Sequence, residues 1–261
     1  MKKAVIFGVG LIGGSFARSL KKAGVVETVV GMGRSQASMQ RALELGIIDV
    51  IGGDVQQALA GADLVLLAAP VAQTEAILAA IAPHLQPGTV VTDAGSTKSD
   101  VVAAARSALA GKVAQFVPGH PIAGRETNGP EAAIDDLYVG KKVVLTALAE
   151  NSAADVERVA AAWRACGAII HRLSPEEHDK VFAAVSHLPH LLAYALVDDI
   201  ARKPHADLLF QYAASGFRDF TRISGDGAGL EGVYGNAQKA RHQWITAIET
   251  AETPQSGDKA D

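Results

Sequence analysis

A glycine-rich turn near the start of the chain restricts the fold more than any other feature. Gly8, Gly10 and Gly13 follow an apolar run at residues 4–7 and lead into a helical stretch at 15–23. In this context Gly8 makes a tight turn, Gly10 lets a pyrophosphate approach the backbone, and Gly13 lets the helix pack close to the strand. The free N–H groups of the helix N-terminus favour that anion. The turn therefore predicts a dinucleotide site, the alternative being a glycine-rich turn of an unrelated α/β protein. To this site we assign Gly8, Gly10, Leu11, Ile12, Gly13 and Pro70.

The region from residue 3 to about 146 alternates short β-branched runs with alanine-rich helical stretches. This alternation is typical of a parallel sheet with crossover helices. A further helix at 153–165 and a strand at 168–171 complete the region, for which we predict an α/β Rossmann-type domain over residues 1–171. The predicted strands lie at 4–7, 28–30, 64–67, 90–92, 115–117 and 143–145.

The pattern changes after residue 171. Ser174, Pro175 and Glu177 form a helix-start signal with a capping box, and strand signals disappear beyond them. Residues 181–201 predict one long helix, containing Pro189, that is apolar on nearly all sides and must therefore be buried on nearly all sides. In a small domain this requires a partner subunit. We predict a helical homodimerisation domain at 172–252 and a polar tail at 253–261.

Composition excludes several classes of protein. With 49% hydrophobic and 20% charged residues, the 261-residue chain is expected to be globular. A formal charge of −4 does not favour binding to nucleic acid. The single Cys166 cannot form an internal disulfide, which favours the cytoplasm. No membrane segment is expected, because Asp198 and Asp199 interrupt the longest apolar helical stretch.

The end of the second strand indicates which dinucleotide is bound. An acidic residue there would bind the ribose hydroxyls of NAD, but residues 31–35 contain none. Arg34 and Ser35 instead leave room and positive charge for a 2′-phosphate, which predicts a preference for NADP. The alternative is that Arg34 is a solvated surface charge and that the protein uses NAD or both cofactors.

Two polar side chains follow neighbouring strands at their carboxyl ends, the edge at which open α/β sheets bind ligands. His120 lies in a glycine-flanked loop at 119–124, and Ser96 follows the strand at 90–92. Histidine titrates near neutrality and is suited to act as a general base. We predict that His120 and Ser96 are catalytic; the alternative for a lone histidine is a structural role.

Five motifs, in this order, resemble the prephenate/arogenate (cyclohexadienyl) dehydrogenase family of tyrosine biosynthesis. Each motif is modest alone, but their order over residues 4–222 is hard to obtain by accident. They are the glycine turn, Asp93-x-Gly-Ser96-x-Lys98, Gly119-His-Pro-Ile-Ala-Gly124, Ser186-His-Leu-Pro-His190, and Ser215-Gly-Phe-Arg-Asp-Phe-Thr-Arg222.

The resemblance implies an oxidative decarboxylation with hydride transfer to NAD(P)⁺. His120 would accept the proton or hydrogen bond of the substrate hydroxyl, Ser96 would orient His120, and Arg222 would bind the ring carboxylate. His190 would contact the substrate and His187 would support the site, although a packed role for both histidines stays open. Ser215 joins this substrate-binding set. A metal site at the two histidines is not expected, because no third ligand lies nearby in the sequence.

The sequence departs from the family at residues 224–235, where five glycines in twelve positions disfavour a helix, and the only later helix candidate is at 241–252. This departure leaves the choice between prephenate and arogenate open. Two other functions are possible on sequence grounds: a β-hydroxyacid dehydrogenase, which would use a catalytic lysine on a helix, and a non-catalytic NADPH-sensing protein.

Overall fold

The structure, a computed structural model, describes residues 1–125 and 127–221. The chain divides into two compact units, Met1–Lys180 and Val181–Asp261, whereas the sequence places the boundary after residue 171. Arg222, the glycine-rich segment at 224–235, the helix candidate at 241–252 and the tail at 253–261 lie outside the described residues.

The first unit contains a six-stranded parallel sheet with crossover helices, which confirms the predicted Rossmann-type class. The strand order is β3-β2-β1-β4-β5-β6, so the direction of winding reverses between β1 and β4, where ligands of such sheets bind. The strands are β1 (Lys3–Phe7), β2 (Thr28–Met32), β3 (Val50–Ile51), β4 (Leu64–Leu67), β5 (Val90–Asp93) and β6 (Phe116–Val117). The connecting helices are α1 (Leu11–Lys22), α2 (Gln36–Glu44), α3 (Val55–Leu59), α4 (Thr74–Ile81) and α5 (Ser99–Leu109).

Strand β4 shows why the central strands are apolar throughout. Leu64 and Leu66 belong to the hydrophobic cluster on one face of the sheet, and Val65 and Leu67 belong to the cluster on the other. Successive side chains of a strand point to opposite faces, so a strand covered by helices on both sides needs apolar residues at every position.

A separate three-stranded sheet follows, of β7 (Gly119–Pro121), β8 (Lys142–Leu145) and β9 (Ile169–Arg172), with helix α6 (Ala153–Ala165) between the last two strands. Strand β8 is antiparallel to β7 and parallel to β9. The prediction that residues 143–145 belong to the main parallel sheet is therefore wrong. The prediction of a loop at 119–124 is wrong for residues 119–121, which form β7. Hydrophobic runs identify strands but do not show which strands pair.

Described residues beyond Arg172 form only helices and turns. Helix α7 (Pro175–Phe182) begins with the predicted capping box: the Glu177 amide donates to Ser174 Oγ, and the Ser174 amide donates to the Glu177 carboxylate. A π-helical turn (Ala183–His187) precedes α8 (Leu188–Ala201), which is followed by α9 (Ala206–Gln211) and α10 (Ser215–Thr221). The predicted long helix at 181–201 is part of one helical stretch, Pro175–Ala201, that contains this π-helical turn. Pro189 lies in the first turn of α8, where its missing N–H is tolerated.

Several apolar side chains of the π-helical turn and of α8 are exposed in the single chain. Ala193 and Val197 are buried, but Val185, Leu188 and Leu192 are 68%, 50% and 51% exposed. Burial on nearly all sides is not reached within one chain, and the prediction assigns the remaining burial to a partner subunit.

By length and composition, the helical stretch Pro175–Ala201 is able to cross a membrane, with a mean hydropathy of 1.3 over 18 residues. One such helix is weak evidence, because an apolar helix of a soluble protein passes the same test.

Candidate functional site

The glycine turn joins β1 to α1 at the carboxyl edge of the sheet. Gly8 has φ +93°, and a Cβ there would lie 2.6 Å from the Ala68 carbonyl oxygen. A Cβ on Gly13 would overlap the Gly8 carbonyl oxygen. Helix α1 starts at Leu11, not at residue 15 as the sequence indicates, because Gly10 is the N-cap and its carbonyl accepts the Gly14 amide at 2.8 Å.

The N-terminus of α1 has the features that a pyrophosphate needs. A Cβ on Gly10 would meet nothing within 4 Å, so space is open above this residue. No side chain caps the helix and no acidic residue lies in its first turn, which leaves the amide dipoles available to an anion. The residues present therefore fit a dinucleotide. Leu11 is buried, Ile12 is half-buried, and Pro70 is exposed beyond the end of β4.

The two residues predicted to select NADP lie just past the end of β2. Arg34 is exposed. Ser35 is the N-cap of α2, and its hydroxyl accepts the Ser38 amide at 3.2 Å and the Ser38 hydroxyl at 3.1 Å. Both residues are thus accessible next to the strand that neighbours β1.

A buried ion pair holds together the two segments that carry Ser96 and His120. Asp93, the last residue of β5, pairs with Lys98, and their side chains are 2% and 0% exposed. The other Asp93 oxygen accepts the Gly119 amide at 2.9 Å, and Lys98 Nζ donates to the Gly119 carbonyl at 2.9 Å. The Gly95 amide donates to Asp93 at 2.8 Å. The loop after β5 and the start of β7 are therefore held together at the carboxyl edge.

His120 is half-buried on β7, and its ring contacts a second histidine. His120 Nδ1 lies 2.8 Å from Nε2 of His178, which is fully buried on α7. The two rings are edge to face, with centroids 5.1 Å apart. His178 Nδ1 in turn lies 2.8 Å from the Asp179 carboxylate. A chain of two imidazoles and one carboxylate thus ends at His120.

Asp179 also anchors the start of α5. Its two oxygens accept the Lys98 and Ser99 amides, each at 2.8 Å. Partial burial opposes ionisation of Asp179, but hydrogen bonds from His178, Ser99 and Lys98 outweigh it and hold the pKa of the carboxyl well below its usual range. Ser96, two residues before Lys98, is exposed.

The remaining predicted site residues belong to the second unit. His190 donates from Nδ1 to the Ser186 carbonyl at 2.7 Å, across the π-helical turn, and is half-buried like His187. Ser215 is exposed at the start of α10. In the part of the chain that the structure describes, no three metal-ligating side chains cluster.

Sequence reasoning missed His178 and Asp179, and it quoted Lys98 only as part of a motif. The available signal was the His-Asp pair in the first turns of α7, directly after the capping box. Because the partners of these residues lie 58 to 81 positions away, no local pattern shows the contacts.

A cavity of about 350 Å³ opens at the opposite, amino edge of the sheet and is lined largely by apolar side chains such as Val90 and Ala162. Its charged groups have partners: Asp63 accepts the Lys2 and Lys3 amides, and Arg158 donates to backbone carbonyls. Open α/β sheets bind ligands at the carboxyl edge of the sheet. We therefore place the candidate functional site at the carboxyl edge and not in this cavity.

Comparison with known proteins identifies the family. The family model described as prephenate dehydrogenase, nucleotide-binding domain, matches residues 16–172, and the model of the prephenate dehydrogenase dimerization domain matches residues 174–231. The chain belongs to the prephenate dehydrogenase family.

Individual family members match most of the chain. A cyclohexadienyl dehydrogenase of Zymomonas mobilis is 37% identical over 85% of this chain and 76% of its own length. A Bacillus subtilis prephenate dehydrogenase is 35% identical over 86% of this chain but 61% of its own length. The prephenate dehydrogenase of A. aeolicus, solved with hydroxyphenyl propionate and NAD⁺, superposes with a TM-score of 0.79 at 36% identity, covering 96% of this chain and 89% of its own.

Replacing Lys98 by methionine is expected to destabilise the first unit by about 3–5 kcal/mol, because it leaves the Asp93 carboxylate buried without its counter-charge. The double variant Lys98→Met, Asp93→Asn is expected to recover part of that loss. Chemical denaturation of both variants measures the difference. Equal unfolding free energies for wild type and Lys98→Met would contradict this account of the pair.

Proposed function

We propose that this protein catalyses the oxidative decarboxylation of prephenate, arogenate or both, in tyrosine biosynthesis. The ring carbon that bears the hydroxyl loses a hydride, the hydroxyl loses its proton, and the para carboxylate leaves as CO2, so that prephenate gives 4-hydroxyphenylpyruvate and arogenate gives tyrosine. The nicotinamide of a bound NAD(P)⁺ would accept the hydride. Aromatisation supplies much of the driving force, so the protein's task is to orient groups and to handle one proton.

The chain's own residues are suited to that task. We assign His120 as the base for the substrate hydroxyl and Ser96 as the hydroxyl that orients it. In the second unit, Arg222 would bind the ring carboxylate as a cationic fork. His190, His187 and Ser215 complete the proposed substrate-binding set.

One observation carries this proposal: His120 lies half-buried at the carboxyl edge of the Rossmann sheet, where such sheets bind ligands. Its ring contacts the buried His178, and the backbone of the preceding Gly119 is hydrogen-bonded to the Asp93–Lys98 ion pair. The chain that holds this histidine belongs to the prephenate dehydrogenase family. The test is to incubate the purified protein with prephenate or arogenate and with NAD⁺ or NADP⁺, and to follow the absorbance of the reduced nicotinamide. Failure to reduce either cofactor with either substrate would refute the proposal.

Replacing His120 by asparagine is expected to lower kcat by roughly 10²-fold or more, because the proton acceptor is lost. Cofactor affinity should change little, since the glycine turn and β2 are untouched. Steady-state kinetics and cofactor titration measure the two effects. An unaffected kcat would reject His120 as the base.

We further propose that NADP is preferred over NAD. Arg34 is accessible, and its guanidinium matches the geometry of a 2′-phosphate. The Ser35 hydroxyl accepts two hydrogen bonds from Ser38 and still has its own hydrogen to donate to a phosphate oxygen. The A. aeolicus prephenate dehydrogenase was solved with NAD⁺, so the proposed preference for NADP rests on Arg34 and Ser35 of this chain and not on that relative.

Arg34→Ala is expected to lower kcat/KM for NADP⁺ by about 10- to 100-fold, the effect of one lost charge-assisted hydrogen bond, and to leave kcat/KM for NAD⁺ nearly unchanged. Arg164→Ala, at an exposed arginine on α6, serves as the matched control. A wild-type preference for NAD⁺ that survives Arg34→Ala would refute the assignment.

We also propose that the protein works as a homodimer in the cytoplasm. Val185, Leu188 and Leu192 are exposed, and they lie three and four residues apart, a spacing at which helical side chains share a face. Solvated apolar surface of this kind is stabilised by burial against a second copy. The match to a family dimerization domain over residues 174–231 supports this assignment.

Leu188→Glu is expected to convert dimer to monomer, because it would bury a carboxylate in an apolar contact. Light scattering after size exclusion gives the mass. Val139→Glu, which also introduces an acid at an exposed apolar position but outside these helices, should remain dimeric. A Leu188→Glu variant with the same mass as wild type would exclude this face from the interface.

A further inference from the structure

His178 and Asp179 form a hydrogen-bonded unit behind the His120 ring. His178 has no exposed surface, so its ring nitrogens depend on protein partners. Its Nε2 lies 2.8 Å from His120 Nδ1, and its Nδ1 lies 2.8 Å from Asp179. Asp179 is itself fixed by the Lys98 and Ser99 amides, so the unit has a rigid end.

The positions of the protons follow from this order of partners. The pKa of Asp179 is low, so near neutral pH the carboxylate is ionised and only accepts hydrogen bonds. His178 Nδ1 must then carry a hydrogen that it donates to Asp179. In neutral His178 this leaves Nε2 with a lone pair, which accepts a hydrogen from His120 Nδ1. His120 Nε2 is left with the lone pair.

We propose that His178 and Asp179 are positioning residues that hold His120 in the Nδ1–H tautomer, so that Nε2 is the atom that takes the substrate proton. This inference rests on the proposed function, since it names the atom of His120 that acts as the base. A purely structural His178 would stabilise helix α7 without selecting a tautomer.

The same arrangement stabilises His120 after it has accepted a proton. The imidazolium donates from Nδ1 to His178 Nε2, and His178 donates from Nδ1 to Asp179, whose charge opposes that of the imidazolium. Asp179 keeps its ionised form throughout. Asp93 and Lys98, which contact the backbone of Gly119 next to His120, pair with each other and so add little net charge. Loss of His178 should therefore make His120 less basic.

The tautomer is directly measurable without substrate. In protein labelled with ¹⁵N-histidine, long-range ¹H–¹⁵N NMR spectra distinguish Nδ1–H from Nε2–H imidazoles, and His120→Asn assigns the signal. We expect Nδ1–H for His120 in the wild type. In His178→Phe we expect a mixture enriched in Nε2–H, the form that an unconstrained imidazole favours. His171→Phe, at an exposed histidine on β9, is the matched control and should leave the His120 signal unchanged.

Kinetics provide a second readout. His178→Phe should lower kcat by about 10- to 100-fold and move the acid limb of kcat/KM to lower pH by roughly one unit. His178→Gln places an amide oxygen where Nε2 was. It should therefore recover part of the kcat that His178→Phe loses and move the acid limb of kcat/KM part of the way back to its wild-type pH. A role limited to packing would change thermal stability but not the pH profile.

An Nε2–H tautomer for His120 in the wild type would overturn the proposal, and this measurement needs no variant to fold. So would an unchanged tautomer and pH profile in a folded His178→Phe. If the wild type shows the Nδ1–H tautomer, dependent on His178, but turns over neither substrate, the proposed function fails while the positioning role stands. If the protein turns over a substrate but His120 is the Nε2–H tautomer, the proposed function stands and the positioning role of His178 and Asp179 fails.

Discussion

The buried pair of Asp93 and Lys98 is the interaction on which the site depends. Removing two charges from water costs several kcal/mol for each ion, and only close pairing and further hydrogen bonds offset that cost. Here both carboxylate oxygens and the ammonium have backbone partners, among them the amide and the carbonyl of Gly119. If the ends of β5 and β6 separated, the Asp93 and Lys98 side chains would lose hydrogen-bond partners inside the protein. His120, the residue after Gly119, is therefore held in place by the Asp93–Lys98 ion pair and its hydrogen bonds, and not by packing alone.

Features determined by short stretches of sequence could be predicted. The glycine turn, the apolar strand at 64–67 and the capping box at Ser174 each depend on neighbours in sequence, and the structure contains all three. Strand β3 was missed because it has only two residues, and the pairing of β7 with β8 because it joins segments more than 20 residues apart. Likewise the π-helical turn at 183–187 is not signalled by hydrophobic periodicity, which assumes one regular helix.

The sequence predicts the residues assigned to contact the substrate hydroxyl, but not the residues that support them. His120 and Ser96 follow strand ends, so the topology of a parallel sheet brings them to one edge. His178 and Asp179 reach that edge from a helix that sequence alone assigns to the second domain. Helix α7 brings both residues to that edge, where His178 contacts His120 and Asp179 accepts the Lys98 and Ser99 amides. Substrate contacts assigned to Arg222 stay predictions, since that residue lies outside the described chain.

This division has a chemical consequence. The contacts from His120 to His178, from His178 to Asp179 and from the Lys98 amide to Asp179 join residues of the first unit. The residues proposed to recognise the substrate side chain lie at 187, 190, 215 and 222, in the second. We therefore propose that these contacts contribute to the basicity of the imidazole, and that residues of the second unit select the substrate. On this proposal, a substitution at a substrate-binding residue of the second unit would alter substrate choice and leave these hydrogen bonds in place.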